Sequence, residues 1–195
     1  EDQEVPGEVV RRPLKVLVPV ANPDTELSLL KLAARLSQGE GDHKGQLLPL
    51  ALVSPSLEEA RGGLNRALSA ARARLNQAAT NGEGLTATTR CLLRVDDDIA
   101  AGMSRSALEE GADLLLIGAG RPDPLRRWLL GDLVDGVCRT AHCPVVVANL
   151  GRRELNDLNQ ILVPIKDLSA SAREQFELAL RLLSTAADPT STTIN

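Results

Sequence analysis

The chain has 195 residues, of which 43% are hydrophobic and 25% are charged, and its formal net charge is −4 at pH 7. At about 150 residues per domain, this length predicts one α/β domain and a surplus segment. The negative charge argues against a nucleic-acid partner, and two aromatic residues, Trp128 and Phe176, cannot form a base-stacking surface. No apolar run is long enough to cross a bilayer.

The cysteines indicate a reducing compartment. Cys91, Cys138 and Cys143 are an odd number in apolar surroundings, which is typical of reduced core thiols in a cytosolic protein. The spacing of Cys138, His142 and Cys143 matches no zinc pattern, so we expect no metal site there.

The first segment is predicted to be a linker. Residues 1–13 are charged and contain Pro and Gly. The chain begins with Glu1, and its only methionine is Met103. We therefore expect the chain to be part of a longer protein.

From Leu14 onward, short β-rich runs alternate with amphipathic helical patterns, which predicts βαβ units and a parallel sheet. Five strands are predicted, at Leu14–Val20, Leu47–Val53, Leu85–Arg94, Leu114–Ile117 and Pro144–Ala148. Four helices are predicted, at Asp24–Ser37, Leu57–Gly82, Asp96–Gly111 and Gly131–Ala141. The third strand alternates between apolar and polar residues, which favours a sheet edge, whereas the fourth is continuously apolar and therefore central.

A second linker, residues 150–159, precedes an internal repeat. The segment Val16–Val20 recurs 145 residues later as Ile161–Ile165, and Leu32–Leu36 is echoed by Leu178–Leu182. Residues 160–195 are therefore predicted to be the first βα unit of a second copy of the domain at 14–149, cut off after that unit.

Enzyme signatures are missing from the sequence. It contains no Gly-x-Ser-x-Gly, no Walker sequence and no His-Glu-x-x-His, and its histidines are only His43 and His142. We therefore expect no catalytic activity. The three aspartates Asp96 to Asp98 open a predicted helix, so they either complement its dipole or hold a cation.

One loop has the chemistry of an anion site. Between the fourth strand and fourth helix, Gly118 and Gly120 are followed by Arg121, Arg126 and Arg127. Free N–H groups at a helix start attract anions, and one arginine side chain can donate two hydrogen bonds to a phosphate. The alternative is that these arginines only solvate a surface loop.

These segments resemble the universal stress protein family. The resemblance covers residues 14–149 and is carried by Leu17–Val20, Gly111–Ile117, Gly118–Arg121, Leu125–Gly131 and Cys143–Val147. It implies a doubly wound sheet of five parallel strands in the order 3-2-1-4-5. In its ATP-binding branch, the family has a glycine, two residues, a second glycine, nine residues and then Gly-Ser/Thr.

This chain keeps part of that ATP-binding pattern. The matching positions are Pro19, Val53, Gly118, Gly120 (displaced by one residue) and Gly131.

Three positions depart from it. Arg121 stands at the second glycine, Asp132 at the Ser/Thr, and Ala21 at the acidic residue that recognises the nucleoside. A carboxylate at the predicted helix start would cap the helix and repel a triphosphate. We expect ATP to bind weakly or not at all, while another nucleotide remains possible.

The resemblance also implies a setting. Tandem domains of this family are often attached to the cytoplasmic end of cation/proton antiporters, and the segment Val18–Pro23 looks like theirs. We expect a non-catalytic regulatory domain on the cytoplasmic side of the membrane, with a transport domain and a second stress-protein domain in the same chain. A free-standing tandem stress protein is the alternative. We also expect a homodimer, formed through the fifth strand or by exchange of residues 160–184.

Overall fold

The structure is a computed structural model that describes residues 11–40, 43–59, 63–119, 127–150, 160–164, 167 and 169–184. The strands are β1 (Lys15–Pro19), β2 (Gln46–Val53), β3 (Thr88–Thr89), β4 (Leu92–Val95), β5 (Leu114–Gly118) and β6 (Val145–Ala148). The helices are α1 (Pro23–Ser37), α2 (Pro55–Glu59), α3 (Leu64–Gly82), α4 (Ile99–Glu110), α5 (Arg127–Thr140) and α6 (Ala170–Ser184).

All strand pairings are parallel, and the sheet order is β3-β2-β1-β5-β6, with β4 also paired to β2. Since β3 and β4 together occupy the predicted third strand, the predicted order 3-2-1-4-5 is confirmed. The predicted third strand lies at one edge of the sheet, and the continuously apolar β5 lies inside it.

Pro49 explains why the predicted third strand is divided in two. In a parallel sheet, the N–H and C=O groups of one residue point to the same neighbouring strand. The Leu47 carbonyl accepts from the N–H of Arg90, whereas that of Leu50 accepts from Val20, so the backbone of Pro49 faces the third strand. Proline has no N–H to donate, and pairing stops beside it, between Thr89 and Leu92.

The core has two apolar layers, one on each face of the sheet. Val16, Val18, Leu114 and Leu116 face α1 and α3, whereas Leu17, Leu115 and Ile117 face α4 and α5. All seven are buried. This pattern is that of a parallel sheet covered by helices on both faces.

The predicted second helix is in fact two helices. Gly63, immediately before α3, has φ 101°, a backbone conformation that helices do not contain. The apolar spacing continues from α2 into α3, which is why the sequence predicted one helix. Its predicted end at Asn81 and Gly82 is confirmed.

The predicted third helix is confirmed as α4, with Asp98 as its N-cap and Gly111 as its left-handed C-cap. The predicted fourth helix, α5, begins at Arg127, four residues before the predicted start at Gly131. The prediction that Cys138 is a core thiol is wrong: its side chain is exposed, because α5 turns Val137 inward instead.

Residues 160–164 form no strand, although the repeat resembles β1 there. A strand needs a neighbour for its backbone groups, and among the described residues these five have none in the sheet. The helical half of the repeat is present as α6, which packs against α1. Within the described residues, no helix is long and apolar enough to span a membrane.

Candidate functional site

Three of the predicted site residues meet at one edge of the sheet. Pro19, Val53 and Gly118 are the last residues of β1, β2 and β5. Because the strands are parallel, these carboxyl ends share an edge, and the central pair, β1 and β5, is where the connections leave toward opposite faces. Crevices at such a point are the usual ligand sites of doubly wound sheets.

Gly118 lies close to a buried side chain of α1. A Cβ atom built on Gly118 would overlap Cδ1 of Leu29, a buried residue of α1. The missing side chain therefore lets α1 approach the end of β5. The backbone continues along the sheet for one more residue, since the N–H of Ala119 donates to the carbonyl of Ala148 at 2.8 Å.

The predicted anion loop lies mostly outside the described residues, including Gly120, Arg121 and Arg126. Arg127 is the first residue of α5, and its side chain is likewise outside the description. Gly131 and Asp132 lie in the second turn of α5, and both are exposed. The expectation that Asp132 caps this helix is therefore wrong, because the helix begins five residues before it.

The β1–α1 connection is closed by its own hydrogen bonds. Asn22 is the N-cap of α1, and its side-chain oxygen accepts from the N–H of Asp24 at 3.1 Å. Ala21, at the position that is acidic in the ATP-binding branch, is exposed and uncharged. The acidic residue of the ATP-binding branch therefore has no counterpart at position 21.

A polar network joins two further loops at the carboxyl edge. Asp97, which follows β4, accepts hydrogen bonds from the N–H of Ser56 at 3.0 Å, from Oγ of Ser56 at 2.8 Å and from Oγ of Ser54 at 3.3 Å. These donors, the Ser56 N–H first among them, lower the pKa of Asp97. The sequence analysis assigned no role to the two serines, although Ser54 directly follows a strand.

The other two aspartates of the triplet are also engaged. Asp98 accepts a hydrogen bond from the N–H of Ala101 at 3.0 Å, so it caps α4. Of the two roles that the sequence left open for the triplet, Asp98 therefore has the one at the helix start. Asp96 accepts from the N–H of Asp98 at 3.1 Å and pairs with Arg105. Each carboxylate already has its donors, and among the described residues no cluster of His, Cys, Asp or Glu could hold a metal ion.

A buried carboxylate, which the sequence analysis did not single out, lies between α1 and α3. Glu26 is 2% exposed, and Nδ2 of Asn81 donates to its Oε1 at 3.0 Å. Burial raises the pKa of Glu26, while the Asn81 hydrogen bond and the charge of Arg74 act in the opposite direction. Glu26 precedes Leu29, Leu30 and Ala33 at helical spacing, a pattern that already placed it on the buried face.

Both histidines lie at the amino ends of the strands, opposite the crevice. His43 precedes β2 and His142 precedes β6, whereas the crevice is at the carboxyl ends of the strands. Of the polar side chains at the described carboxyl ends, the Ser54 and Ser56 hydroxyls donate to the Asp97 carboxylate.

Comparison with known proteins agrees with this fold. The chain is 34% identical over 191 residues to the Na(+)/H(+) antiporter NhaS5 of Synechocystis sp., covering 95% of this chain but only 27% of that protein. The chain thus spans about a quarter of the length of this relative.

Solved structures share the fold at lower identity. A universal stress protein from Archaeoglobus fulgidus DSM 4304 superposes with a TM-score of 0.61 at 15% identity, covering 89% of this chain and 62% of that one. Another from Archaeoglobus fulgidus gives 0.54 at 19% identity, covering 70% and 98%. Residues 14–149 match the universal stress protein family as a whole. With the sheet order in agreement, the chain belongs to the universal stress protein family.

Proposed function

We propose that this chain is a non-catalytic, ligand-sensing domain that regulates a cation/proton antiporter from the cytoplasmic side of the membrane. The observation that carries the proposal is the similarity to an Na(+)/H(+) antiporter over 95% of the chain. The family match covers only residues 14–149, so this similarity must include much of the flanking segments. The likeness therefore extends beyond a shared fold.

The carboxyl-edge crevice supports a sensing role. The described polar groups there already make contacts within the protein. Asn22 and Asp98 cap helices, and Asp97 hydrogen-bonds the loop after β4 to the loop after β2. Gly118 lies against Leu29. A ligand bound there would compete with or reinforce these contacts. A ligand regulates transport only if it binds two arrangements of the protein with different affinity, and such coupling is typically about 1–3 kcal/mol.

The antiporter role is tested with the complete product of the gene that encodes this chain, in everted membrane vesicles. Exchange of Na⁺ for H⁺ is followed with a pH-sensitive dye, with residues 1–195 present or deleted. We expect deletion to shift the Na⁺ concentration for half-maximal exchange by about fivefold or more, the lower end of ordinary coupling. A gene product without membrane segments would favour a free-standing stress protein, and unchanged exchange would contradict regulation.

For nucleotides, we propose that ATP binds in the millimolar range or not at all, because Arg121 and Asp132 replace residues of the family's phosphate-binding pattern. Calorimetry with ATP tests this proposal. The double variant Arg121→Gly/Asp132→Ser restores the pattern and should tighten binding. Replacing Arg126 and Arg127 with Ala should weaken any binding that is seen. A low-micromolar Kd for the unaltered chain would contradict the proposal.

A further inference from the structure

Residues 11–14, which lead into β1 and which we call the entry segment, are hydrogen-bonded to the domain at both ends. The carbonyl of Arg11 accepts from the N–H of Glu40 at 2.8 Å. The N–H of Leu14 donates to the carbonyl of Ser37 at 2.8 Å. Although the sequence there has the composition of a linker, its backbone groups are fastened to the end of α1 and the turn after it.

Between these two contacts, Arg12 is held from two sides. Its carbonyl accepts from Nη2 of Arg181 in α6 at 2.9 Å, and its own guanidinium donates to Oδ1 of Asp113 at 2.8 Å. Asp113 immediately precedes β5, and its other carboxylate oxygen accepts from the N–H of Lys15 at 2.8 Å. Arg12 therefore connects α6 to the start of a central strand.

The two contacts of Arg12 lie in different surroundings. The guanidinium of Arg181 is buried, and it also donates to the carbonyls of Leu36 and Gln38 at the end of α1. The ion pair with Asp113 is open to water, since 69% of the Arg12 side chain is exposed. Exposed ion pairs are weak contacts. The entry segment therefore has one firm attachment, to α6 and α1, and one that opens more easily, to the start of β5.

Helix α1 runs from the crevice to the entry segment. Its N-cap, Asn22, follows β1 at the carboxyl edge, and its Leu29 lies against Gly118 at the end of β5. At its other end, the carbonyl of Ser37 holds Leu14. Rigid secondary-structure elements are one route by which distant sites are coupled. A displacement of α1 at the crevice would therefore reach the entry segment.

We propose that the entry segment is the mechanical connection through which this domain acts on the transport domain, with Arg181 holding it to α1 and Arg12 holding it to β5. The inference rests on the proposed function, with the transport domain on the side of the predicted linker at residues 1–13. A domain on a free tether changes only the effective concentration of its contacts. A fastened segment transmits a displacement of α1 directly, so its release would uncouple the domain from transport.

Amide hydrogen exchange of the 195-residue chain tests the fastening. The release variant, Arg12→Gln/Arg181→Lys, loses the exposed ion pair and the planar group that serves three carbonyls. The amides of Leu14 and Glu40 report on the entry segment, because each forms one of its hydrogen bonds. We expect both amides to exchange about fivefold faster or more in the release variant.

The control variant is Arg90→Gln/Arg173→Lys. Arg90 forms an exposed ion pair of the same kind as that of Arg12, and Arg173 is exposed on α6. The control should leave the exchange of the two reporting amides unchanged, and the amides of β5 should stay protected in both variants. Asp113→Asn is a milder second variant, since its amide oxygen can still accept from the Lys15 N–H but its charge no longer pairs with Arg12.

Na⁺/H⁺ exchange by the complete gene product tests the coupling, in the same vesicles as the deletion of residues 1–195. The release variant should shift the Na⁺ concentration for half-maximal exchange in the same direction as the deletion. We expect a shift of about twofold or more, the lower end for residues that couple two sites without touching either ligand. The control variant should match the unaltered protein.

Unchanged amide exchange of Leu14 and Glu40 in the release variant would overturn the fastening. Faster amide exchange with unaltered Na⁺/H⁺ exchange, where the deletion does alter it, would overturn the coupling and leave the proposed function standing. If the deletion itself leaves Na⁺/H⁺ exchange unchanged, both the coupling and the proposed function are contradicted. An equal shift in the release and control variants also contradicts the coupling, since it then follows from any lost surface contact.

Discussion

At the scale of single residues, two glycines of the family's phosphate-binding pattern have opposite surroundings. Gly118 faces Leu29 of α1, whereas a Cβ atom on Gly131 would meet nothing within 4 Å. Both were predicted as site residues because they match the ATP-binding pattern of the family that the sequence resembles. The family pattern identifies both positions, but only the packed structure shows that a side chain at Gly118 would overlap Leu29.

This difference gives a matched pair of variants. Gly118→Ala should lower the free energy of unfolding by about 1–3 kcal/mol, because the added methyl group overpacks the core. Gly131→Ala should raise it by about 0.5–1 kcal/mol, because Ala is the better helix former at an open position. Chemical denaturation measures both. If the two variants had the same effect, the contact with Leu29 would not be the cause.

The overlap with Leu29 can be isolated further. In the double variant Gly118→Ala/Leu29→Ala, the shortened Leu29 side chain makes room for the new methyl group. We therefore expect the double variant to be less destabilised than the two single variants together, by about 0.5–3 kcal/mol for groups in contact. Additive effects would argue that the two residues do not touch.

Glu26 predicts a pH dependence of stability. Burial places the pKa of Glu26 above its ordinary value, so the folded protein favours the protonated carboxyl. This contribution is present below the ordinary pKa and is lost as the pH rises from that value through the raised one. Glu26→Gln cannot titrate and should remove this loss, leaving the variant more stable at pH 7 by up to about 1 kcal/mol.

Urea denaturation at several pH values between 4 and 8 measures the effect of Glu26→Gln. Glu83→Gln is the control, since Glu83 is exposed at the end of α3. A pH dependence that persists unchanged in Glu26→Gln would show that another group is responsible.

At the scale of elements, periodicity predicted most of the structure, and backbone chemistry caused the differences. The apolar runs of β1 and β5 and the caps of α4 identified those elements, because side-chain pattern and backbone agree there. The third strand and second helix were predicted as continuous because periodicity does not register a missing N–H at Pro49 or a positive φ at Gly63. The crevice followed from strand order, whereas the Ser56–Asp97 contact spans 41 residues and leaves no local signal.

Arg181 hydrogen-bonds α6 to the end of α1 and to the segment before β1. Burial lowers the pKa of the Arg181 guanidinium, and three backbone carbonyls compensate for the lost water. Lysine carries the same charge but lacks the planar fork that serves several acceptors at once. Arg181→Lys should therefore lower the free energy of α6 opening by about 1–3 kcal/mol.

Amide hydrogen exchange along α6 and in residues 11–14 measures this opening. Arg173→Lys is the control on the same helix, because Arg173 is exposed. We expect faster amide exchange in both segments for Arg181→Lys and unchanged amide exchange for the control. Unchanged protection of α6 would mean that Leu178 and Leu182 are sufficient to hold the helix.

At the scale of the whole molecule, β6 leaves one side of the sheet open. In the described residues it pairs only with β5, and Val147 is exposed. An apolar edge strand with unpaired backbone groups favours association. The homodimer expected from the sequence thus stays a prediction, with β6 as its contact.

Sedimentation at tens of micromolar tests this association. We expect a dimer for the unaltered chain and a shift toward monomer for Val147→Lys, since a charged side chain on an edge strand opposes pairing. Leu108→Lys is the control, because Leu108 is exposed on α4. A monomer for the unaltered chain contradicts the prediction, and a dimer that survives Val147→Lys would point to exchange of residues 160–184 instead.

The hydrogen bond from Arg181 to the carbonyl of Arg12 joins residues 169 positions apart in the chain. Such a contact closes a loop of most of the described residues, and during synthesis it cannot form until Arg181 has left the ribosome. The sheet from β1 to β6 is complete by Ala148, more than 30 residues before Arg181 emerges. The nascent chain therefore passes through a stage in which every strand of the sheet has emerged and the end of α1 still lacks its cation.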